Sequence, residues 1–378
     1  MTTRAVIDVD PAILLWAIDR AGLTFEKISE QIPNLPKWIS REKKPTIKQL
    51  QSFSRKVYLP FGYLLLNTPP RETLPIPFFR TNIEDRSDKV DINVYDTIIL
   101  LQQRQDWLRN YLIENDFSKL KFVGSFEVGG TVLNIVKDIR RVLGLREIWA
   151  SDCDNWEKSL GMLTSAIEEV GIITVFNGVV ENNTHRPIAV EQCRGFVLVD
   201  DFAPFMFVNN SDSKAAQMFT IAHELAHIWT GKSAGFDFRK LQPASDPTEV
   251  FCDQIAAEFL VPSEIFKEVW NENPNIKYCS RYFKVSEIVI ARKALDTKNI
   301  SRQAFFEFYN EYIGREFTKK ETQSSGGDFY ATTKKRLSVT FAAHINNAVQ
   351  SGDLLYRDAY RLTSLRGDTF QTFFREHI

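Results

Sequence analysis

The segment His223-Glu224-Leu225-Ala226-His227 places two histidines four residues apart inside a long apolar run. Positions i and i+4 share one face of an α-helix, so both imidazoles can bind the same ion. Glu224 lies one residue round from His223, where its carboxylate can contact a metal-bound water. Because the run is apolar nearly all round, we expect a buried helix whose histidines need partners. The segment predicts a metal centre; the alternative is two core histidines bonded to backbone groups.

A second apolar segment, residues 248–262, provides candidates for the third protein ligand of a hydrolytic zinc site. Helical spacing puts Glu249 and Asp253 on one face, after a stretch long enough for a loop and an antiparallel return. Glu249 is the predicted third ligand, and Asp253 is predicted to accept a hydrogen bond from a ligand imidazole. The alternative for Glu249 is an ordinary acid at a helix N-terminus, favoured by the helix dipole. The rival ligands are Cys252 and Glu258.

These two segments resemble the metal-binding motifs of the ImmA/IrrE-type metallopeptidase family. That family pairs H-E-L-G-H with a helix of the form E-x-x-A-N-x-F-A-A-x-L-L-M-P. This chain has His-Glu-Leu-Ala-His, followed by Glu249-Val-Phe-Cys-Asp253-Gln-Ile-Ala-Ala-Glu-Phe-Leu-Val-Pro262. Asp253 stands where the family usually has Asn, and Ala226 stands where it has Gly. Neither change is expected to prevent metal binding.

The resemblance implies that His223, His227 and Glu249 bind Zn2+ and that Glu224 is the general base of a gluzincin-like zinc metallopeptidase. In such an enzyme zinc lowers the pKa of a bound water to about 7 and polarises the scissile carbonyl. Glu224 would accept the proton of the water and later pass it to the leaving amine. An oxyanion-stabilising group is also needed, and no motif identifies it. The candidates are Tyr330, His344 and His185.

Residues 1–66 resemble the repressor-like helix-turn-helix domain that often precedes this peptidase in the long form of the family. Residues 37–56 contain seven basic side chains and one acid, a net charge of 7 − 1 = +6. This patch is expected either for phosphate contacts or for a solvated helix face. Residues 32–37 contain two prolines and leave little room for a recognition helix, so we expect weak, unspecific DNA binding or a protein-docking role. The predicted nucleic-acid contacts are Lys37, Arg41, Lys43, Lys44 and Lys48.

The chain as a whole is predicted to have an α+β, mostly helical fold. Periodicity and composition predict a helix-turn-helix bundle (1–66), a Pro-rich linker (67–82), a zincin-like peptidase domain (83–270) and a helical C-terminal region (271–378). Three short strands are predicted at 171–176, 194–199 and 204–209. They form a small sheet beside the H-E-x-x-H helix, and an edge of this sheet can pair with an extended peptide.

Composition favours a cytoplasmic protein. No run is apolar and long enough to span a membrane. The N-terminus is not expected to be a signal peptide, because Asp8 and Asp10 interrupt its apolar residues. The four cysteines show neither metal nor disulfide spacing, so we expect reduced thiols.

The expected function is zinc-dependent cleavage of a regulatory protein. Shorter members of the family cleave helix-turn-helix repressors in a stress response, and the long form is similar to members encoded beside small toxins. By this analogy the expected substrate is a repressor or an antitoxin, with a toxin as a candidate partner and a role in transcription regulation. The alternative is a non-catalytic DNA- or partner-binding regulator or antitoxin with a retained metal site. Glu224 favours the enzyme, because a purely structural site needs no base.

Overall fold

The computed structural model describes residues 5–70, 72, 78–80, 90–232, 234–237, 246–315 and 328–378, so part of the predicted linker 67–82 lies outside it. The chain divides into two compact units, Met1–Pro75 with Ser87–Asp96 and Ile76–Arg86 with Thr97–Ile378. Helices dominate the described residues and a small sheet lies in the second unit, which confirms the predicted α+β, mostly helical fold class. No helix among the described residues is long and apolar enough to cross a membrane.

Short helices form the first unit. They are α1 (Pro11–Arg20), α2 (Phe25–Gln31), α3 (Leu35–Ile39), α4 (Ile47–Lys56) and the 3-10 turn Phe61–Leu65. A capping box starts α4: Thr46 Oγ1 accepts the Gln49 N–H at 3.4 Å, and Gln49 Oε1 accepts the Thr46 N–H at 2.9 Å. α3 has only five residues, and its Trp38 is 3% exposed within the core of this unit. The short third helix therefore supplies a packing residue.

The long helix α5 (Ile92–Glu114) begins in the first unit and continues in the second. The remaining helices of the second unit are α6 (Val132–Val142), α7 (Trp156–Glu169), α8 (Lys214–Thr230), α9 (Pro247–Leu260), α10 (Ser263–Glu272), α11 (Ile276–Phe283), α12 (Glu287–Asp296), α13 (Arg302–Gly314), α14 (Phe329–Leu337), α15 (Val339–Ser351), α16 (Tyr356–Thr363), α17 (Gly367–Glu376) and the 3-10 turn Trp149–Asp152. Apolar side chains of α6, α7, α8 and α9 share one buried core with the sheet.

The described strands form a five-stranded sheet and a separate hairpin. They are β1 (Phe78–Arg80), β2 (Ile173–Asn177), β3 (Val179–Val180), β4 (Asn183–Pro187), β5 (Gly195–Leu198), β6 (Phe205–Asn209) and β7 (Ala234–Asp237). The sheet order is β1-β7-β5-β6-β2, and β3 pairs with β4. β5 is antiparallel to both of its neighbours, whereas β2 is parallel to β6 and β1 is parallel to β7. Every residue of β2, β5 and β6 is buried, as expected for strands covered on both faces.

Two strands, β5 and β6, lie within segments predicted from the sequence, and β2 overlaps the predicted segment 171–176 but ends one residue beyond it. The other four were not predicted, and β1 falls within the segment interpreted as a linker. β1, β3 and β7 have two to four residues, which is too short for an alternating pattern to be recognised. Their pairing depends on partners that are distant in the sequence.

The metal-motif helix α8 packs closely on the sheet at Gly195 in β5. A Cβ atom at this position would lie 2.3 Å from Thr220 Cγ2 and 2.9 Å from the Phe207 carbonyl oxygen. Only a glycine therefore permits this approach between β5 and α8. The helix begins after Ser213, whose hydroxyl accepts the Ala216 N–H, and it ends at Gly231 in the left-handed conformation, with φ 71°.

Candidate metal centre

Two packed helices bring together the residues predicted to bind a metal. α8 supplies His223 and His227 from one face, and the following helix α9 supplies Glu249 near its N-terminus. Asp246 caps α9 by accepting the N–H groups of Thr248 and Glu249, which fixes the first turn. Both histidines are 0% exposed, and Glu249 is 1% exposed. The two helices therefore place the three side chains in one buried cluster.

The spacing of the two imidazole nitrogens and the Glu249 carboxylate suits a tetrahedral zinc site. His223 Nε2 lies 3.1 Å from His227 Nε2 and 3.1 Å from Glu249 Oε2, and His227 Nε2 lies 3.4 Å from the other carboxylate oxygen, Glu249 Oε1. Ligand atoms about 2.0–2.1 Å from a tetrahedral zinc ion lie about 3.3–3.4 Å from one another. The observed separations are within a few tenths of an ångström of this value, so the residues fit the ion.

Asp253, one turn after Glu249 on α9, fixes the orientation of the first imidazole. Its Oδ1 lies 2.9 Å from His223 Nδ1. With the proton on Nδ1, a neutral imidazole donates to this carboxylate and presents the lone pair of Nε2 to the cluster. This is the contact predicted from the sequence.

The electrostatics of the cluster favour a bound positive charge. Burial opposes protonation of His223, but hydrogen bonds to Asp253 and Glu249 outweigh it and raise the pKa of His223 to about 10. Burial also acts against ionisation of Glu249, yet hydrogen bonds from both histidines lower its pKa to about 2. At His227 burial prevails and lowers the pKa. A proton on His223 thus balances the charge of Glu249, as a divalent cation would.

Glu224 is buried beside the three candidate ligands but is not one of them. It is 1% exposed, and neither carboxylate oxygen has a hydrogen-bond partner among the described residues. Burial raises its pKa to about 8, with His223 opposing and Glu249 adding to the shift. Its Oε1 lies 3.5 Å from the position of a Cβ atom built on Gly195, so the carboxylate lies against β5. An unpartnered buried carboxylate beside the ligands is suited to receive a proton.

The two rival ligands have other environments. Cys252 is 0% exposed, burial raises the pKa of its thiol, and it is absent from the cluster of three ligand atoms. The carboxylate of Glu258 lies 2.7 Å from the ammonium of Lys293. It also accepts hydrogen bonds from the hydroxyl and the N–H of Ser263, at 2.6 and 2.9 Å. Glu258 therefore holds α9, α10 and α12 together.

The three candidates for oxyanion stabilisation have their described contacts elsewhere. Tyr330 stacks on His377 with ring centroids 4.2 Å apart, and His344 packs edge-on against Tyr111. His185 lies on β4 and is exposed. Within the described contacts, none of the three candidates touches a residue of the metal cluster.

The basic patch of the first unit is exposed but partly paired. Lys44 Nζ lies 2.8 Å from Asp8 Oδ2, and the guanidinium of Arg41 lies 3.7 Å from Asp10. These acids precede residues 37–56 and were outside the count that gave +6. Lys37, Lys43 and Lys48 are also exposed.

Gly195 is the residue of the site that the sequence did not reveal. It sets the distance between β5 and the helix that carries Glu224. Its signal in the sequence, a glycine within an apolar strand, indicates a close approach but not the partner.

Comparison with known families identifies the domain that contains this cluster. Residues 167–295 match the model of the IrrE N-terminal-like domain, Peptidase_M78, and residues 337–376 match a domain of unknown function, DUF8813. None of the curated proteins matches the chain. The first match contains α8 and α9 and confirms the resemblance to the ImmA/IrrE-type family. The first unit lies outside both matches, so its helix-turn-helix character stays a prediction.

Proposed function

We propose that this chain, whose residues 167–295 belong to the IrrE-like peptidase family, is a zinc-dependent endopeptidase. The observation that carries the proposal is the pairing of a buried His-His-Glu cluster with the unpartnered carboxylate of Glu224. Closed structural zinc sites use four protein ligands, whereas catalytic sites use three and keep one position open. Three ligands and a nearby free carboxylate match the catalytic pattern.

Each residue of the site has a distinct task. His223, His227 and Glu249 would hold the ion, and Asp253 positions His223 through its Nδ1 hydrogen. Bound zinc would supply Lewis-acid polarisation of the scissile carbonyl and a more acidic water.

Glu224 moves the proton in this proposal. Its carboxylate takes a proton from the attacking water and then delivers it to the nitrogen of the leaving amine. The burial of Glu224 keeps bulk water away and raises the pKa of its carboxyl group to about 8, so its ionised form is a stronger base than an exposed glutamate.

We propose a repressor or an antitoxin as the substrate. The support is the resemblance to a family whose shorter members cleave helix-turn-helix repressors, together with the resemblance of residues 1–66 to a repressor-like domain. A toxin encoded beside the gene would be the corresponding partner. The test substrates are therefore the small regulatory proteins encoded by the neighbouring genes.

The test is incubation of the zinc-loaded protein with these candidate substrates, with fragments mapped by mass spectrometry. We expect one defined cut with the wild type and with the control Glu264→Gln, whose side chain is 81% exposed. We expect no cut with Glu224→Gln and strongly reduced zinc retention with Glu249→Ala. Zinc binding without a cut in any candidate would favour the non-catalytic regulator. Unchanged zinc in the Glu249 variant would assign the third ligand to another residue.

A further inference from the structure

The candidate active site is closed in this structure. His223 and His227 are 0% exposed, and Glu224 and Glu249 are 1% exposed. A peptide bond must come within hydrogen-bond reach of the general base. No substrate can do so while these four side chains are covered, so some element must move before a chain can enter.

The backbone of β5 is the part of the sheet that lies against the base. The Gly195 position in β5 faces Glu224, as the 3.5 Å separation from Oε1 to a Cβ built there shows. An extended peptide that adds to a sheet pairs with a free strand edge. One edge of β5 is covered by β6, and its other edge is covered by β7.

β7 is thus a strand of the protein itself at the position where an incoming peptide would pair. Its backbone is antiparallel to β5, with the partners Gly195 and Phe236, Phe196 and Gly235, and Val197 and Ala234. Gly195, where an added Cβ atom would lie 3.5 Å from Glu224 Oε1, is among these pairs.

We propose that β7 is an autoinhibitory strand, and that an extended segment of the substrate must displace it from β5 to reach Glu224. This inference rests on the proposed peptidase function and adds the regulation of its site. It also defines the substrate as a chain that is locally unfolded, because only an extended backbone can replace β7 in the sheet.

The dimensions of β7 suit a displaceable element. It has four residues and begins three residues after Gly231, which ends α8. The chain is held in place just before β7, at the end of α8. The Gly124 N–H donates to the Ile228 carbonyl at 2.9 Å, and a Cβ atom at Gly231 would lie 3.0 Å from Gly124 Cα. The strand can therefore leave β5 while α8 and its histidines stay in place.

The outer neighbour of β7 is also short. β1 has three residues and is parallel to β7.

The experiment locks β7 onto β5 with a reversible disulfide. Val197→Cys and Ala234→Cys are introduced together, because these residues are register partners. Two rates are measured in the zinc-loaded full chain: zinc transfer to a chromogenic chelator, and peptide cleavage. Oxidation should slow both by about tenfold or more, since access tracks the population of the open form. Reduction with a phosphine should restore both rates.

Matched controls separate the effect of the disulfide from the effect of the oxidant. The single variants Val197→Cys and Ala234→Cys receive the same treatment and should be unaffected. Gly235→Pro tests the opposite direction, because proline removes a backbone N–H from β7; it should accelerate both rates by about tenfold. Equal zinc-transfer rates in the oxidised, reduced and Gly235→Pro proteins would overturn the inference. If the wild type cleaves nothing, the proposed function fails, while the zinc-transfer rates still decide whether β7 closes the site.

Discussion

Replacing Gly195 with alanine tests the close packing that places Glu224 against the sheet. The new methyl group would lie 2.3 Å from Thr220 Cγ2 and 2.9 Å from the Phe207 carbonyl oxygen. The first contact involves a side chain that is 4% exposed and the second involves backbone, so neither atom has room to yield. We expect Gly195→Ala to lower the free energy of unfolding by about 1–3 kcal/mol, the usual cost of overpacking.

Urea unfolding, with the slope compared between variants, measures this loss. Gly161→Ala in α7 is the matched control, because nothing lies within 4 Å of its added methyl group and a helical glycine is replaced; it should stabilise the protein by about 0.5–1 kcal/mol. Thr220→Ser removes the Cγ2 atom and should recover part of the loss in the double variant. If Gly195→Ala unfolds at the wild-type urea concentration, the close approach does not constrain the fold. Cleavage should fall more than zinc binding in Gly195→Ala, because the carboxylate of Glu224 faces the new methyl group.

Three further predictions concern the site and the first unit. Glu224→Gln should keep its zinc and lose cleavage by about 10²–10⁴-fold, because an amide cannot accept the proton; full activity would exclude Glu224 as the base. Asp253→Ala should weaken zinc binding by about 10–100-fold in a chelator competition. Asp253→Asn keeps an acceptor oxygen and should weaken zinc binding less. If Asp253→Ala and the wild type bind zinc equally well, the hydrogen bond to His223 is dispensable. DNA binding by residues 1–66 should be weak, with log K falling by about 0.9 per phosphate contact per unit of log salt concentration, and reversing Lys43, Lys44 and Lys48 to Glu should remove it. Tight, salt-tolerant binding to one DNA sequence would contradict the interpretation of the short helix α3.

The cluster of His223, His227 and Glu249 was predictable because most of its geometry is local. The spacing of His223 and His227 is fixed by one helix, so the period of the α-helix alone brings the imidazoles together. Glu249 and Asp253 needed only the added assumption of an antiparallel return by the next helix. The sequence left Glu258 open as a ligand, because nothing local shows that Lys293, 35 residues later, binds its carboxylate.

The strands around β5 were less predictable, since backbone hydrogen bonds between distant segments leave little trace in side-chain patterns. β7 and β1 are short and irregular in sequence, yet they complete one side of the sheet. The short α3 is an intermediate case: two prolines indicated a truncated helix, but the burial of Trp38 in the core became visible only in the folded unit.

This difference between local and distant determinants separates the chemistry of the site from its control. The proposed ligands and the proposed base lie in two helices whose sequence motif is recognisable. Access to them depends on which strand pairs with β5 next to Gly195. A protein with this same motif but a different segment at the position of β7 would keep the metal chemistry and respond to a different signal. The identity of the strand at that edge, more than the ligands, should therefore determine when the site opens.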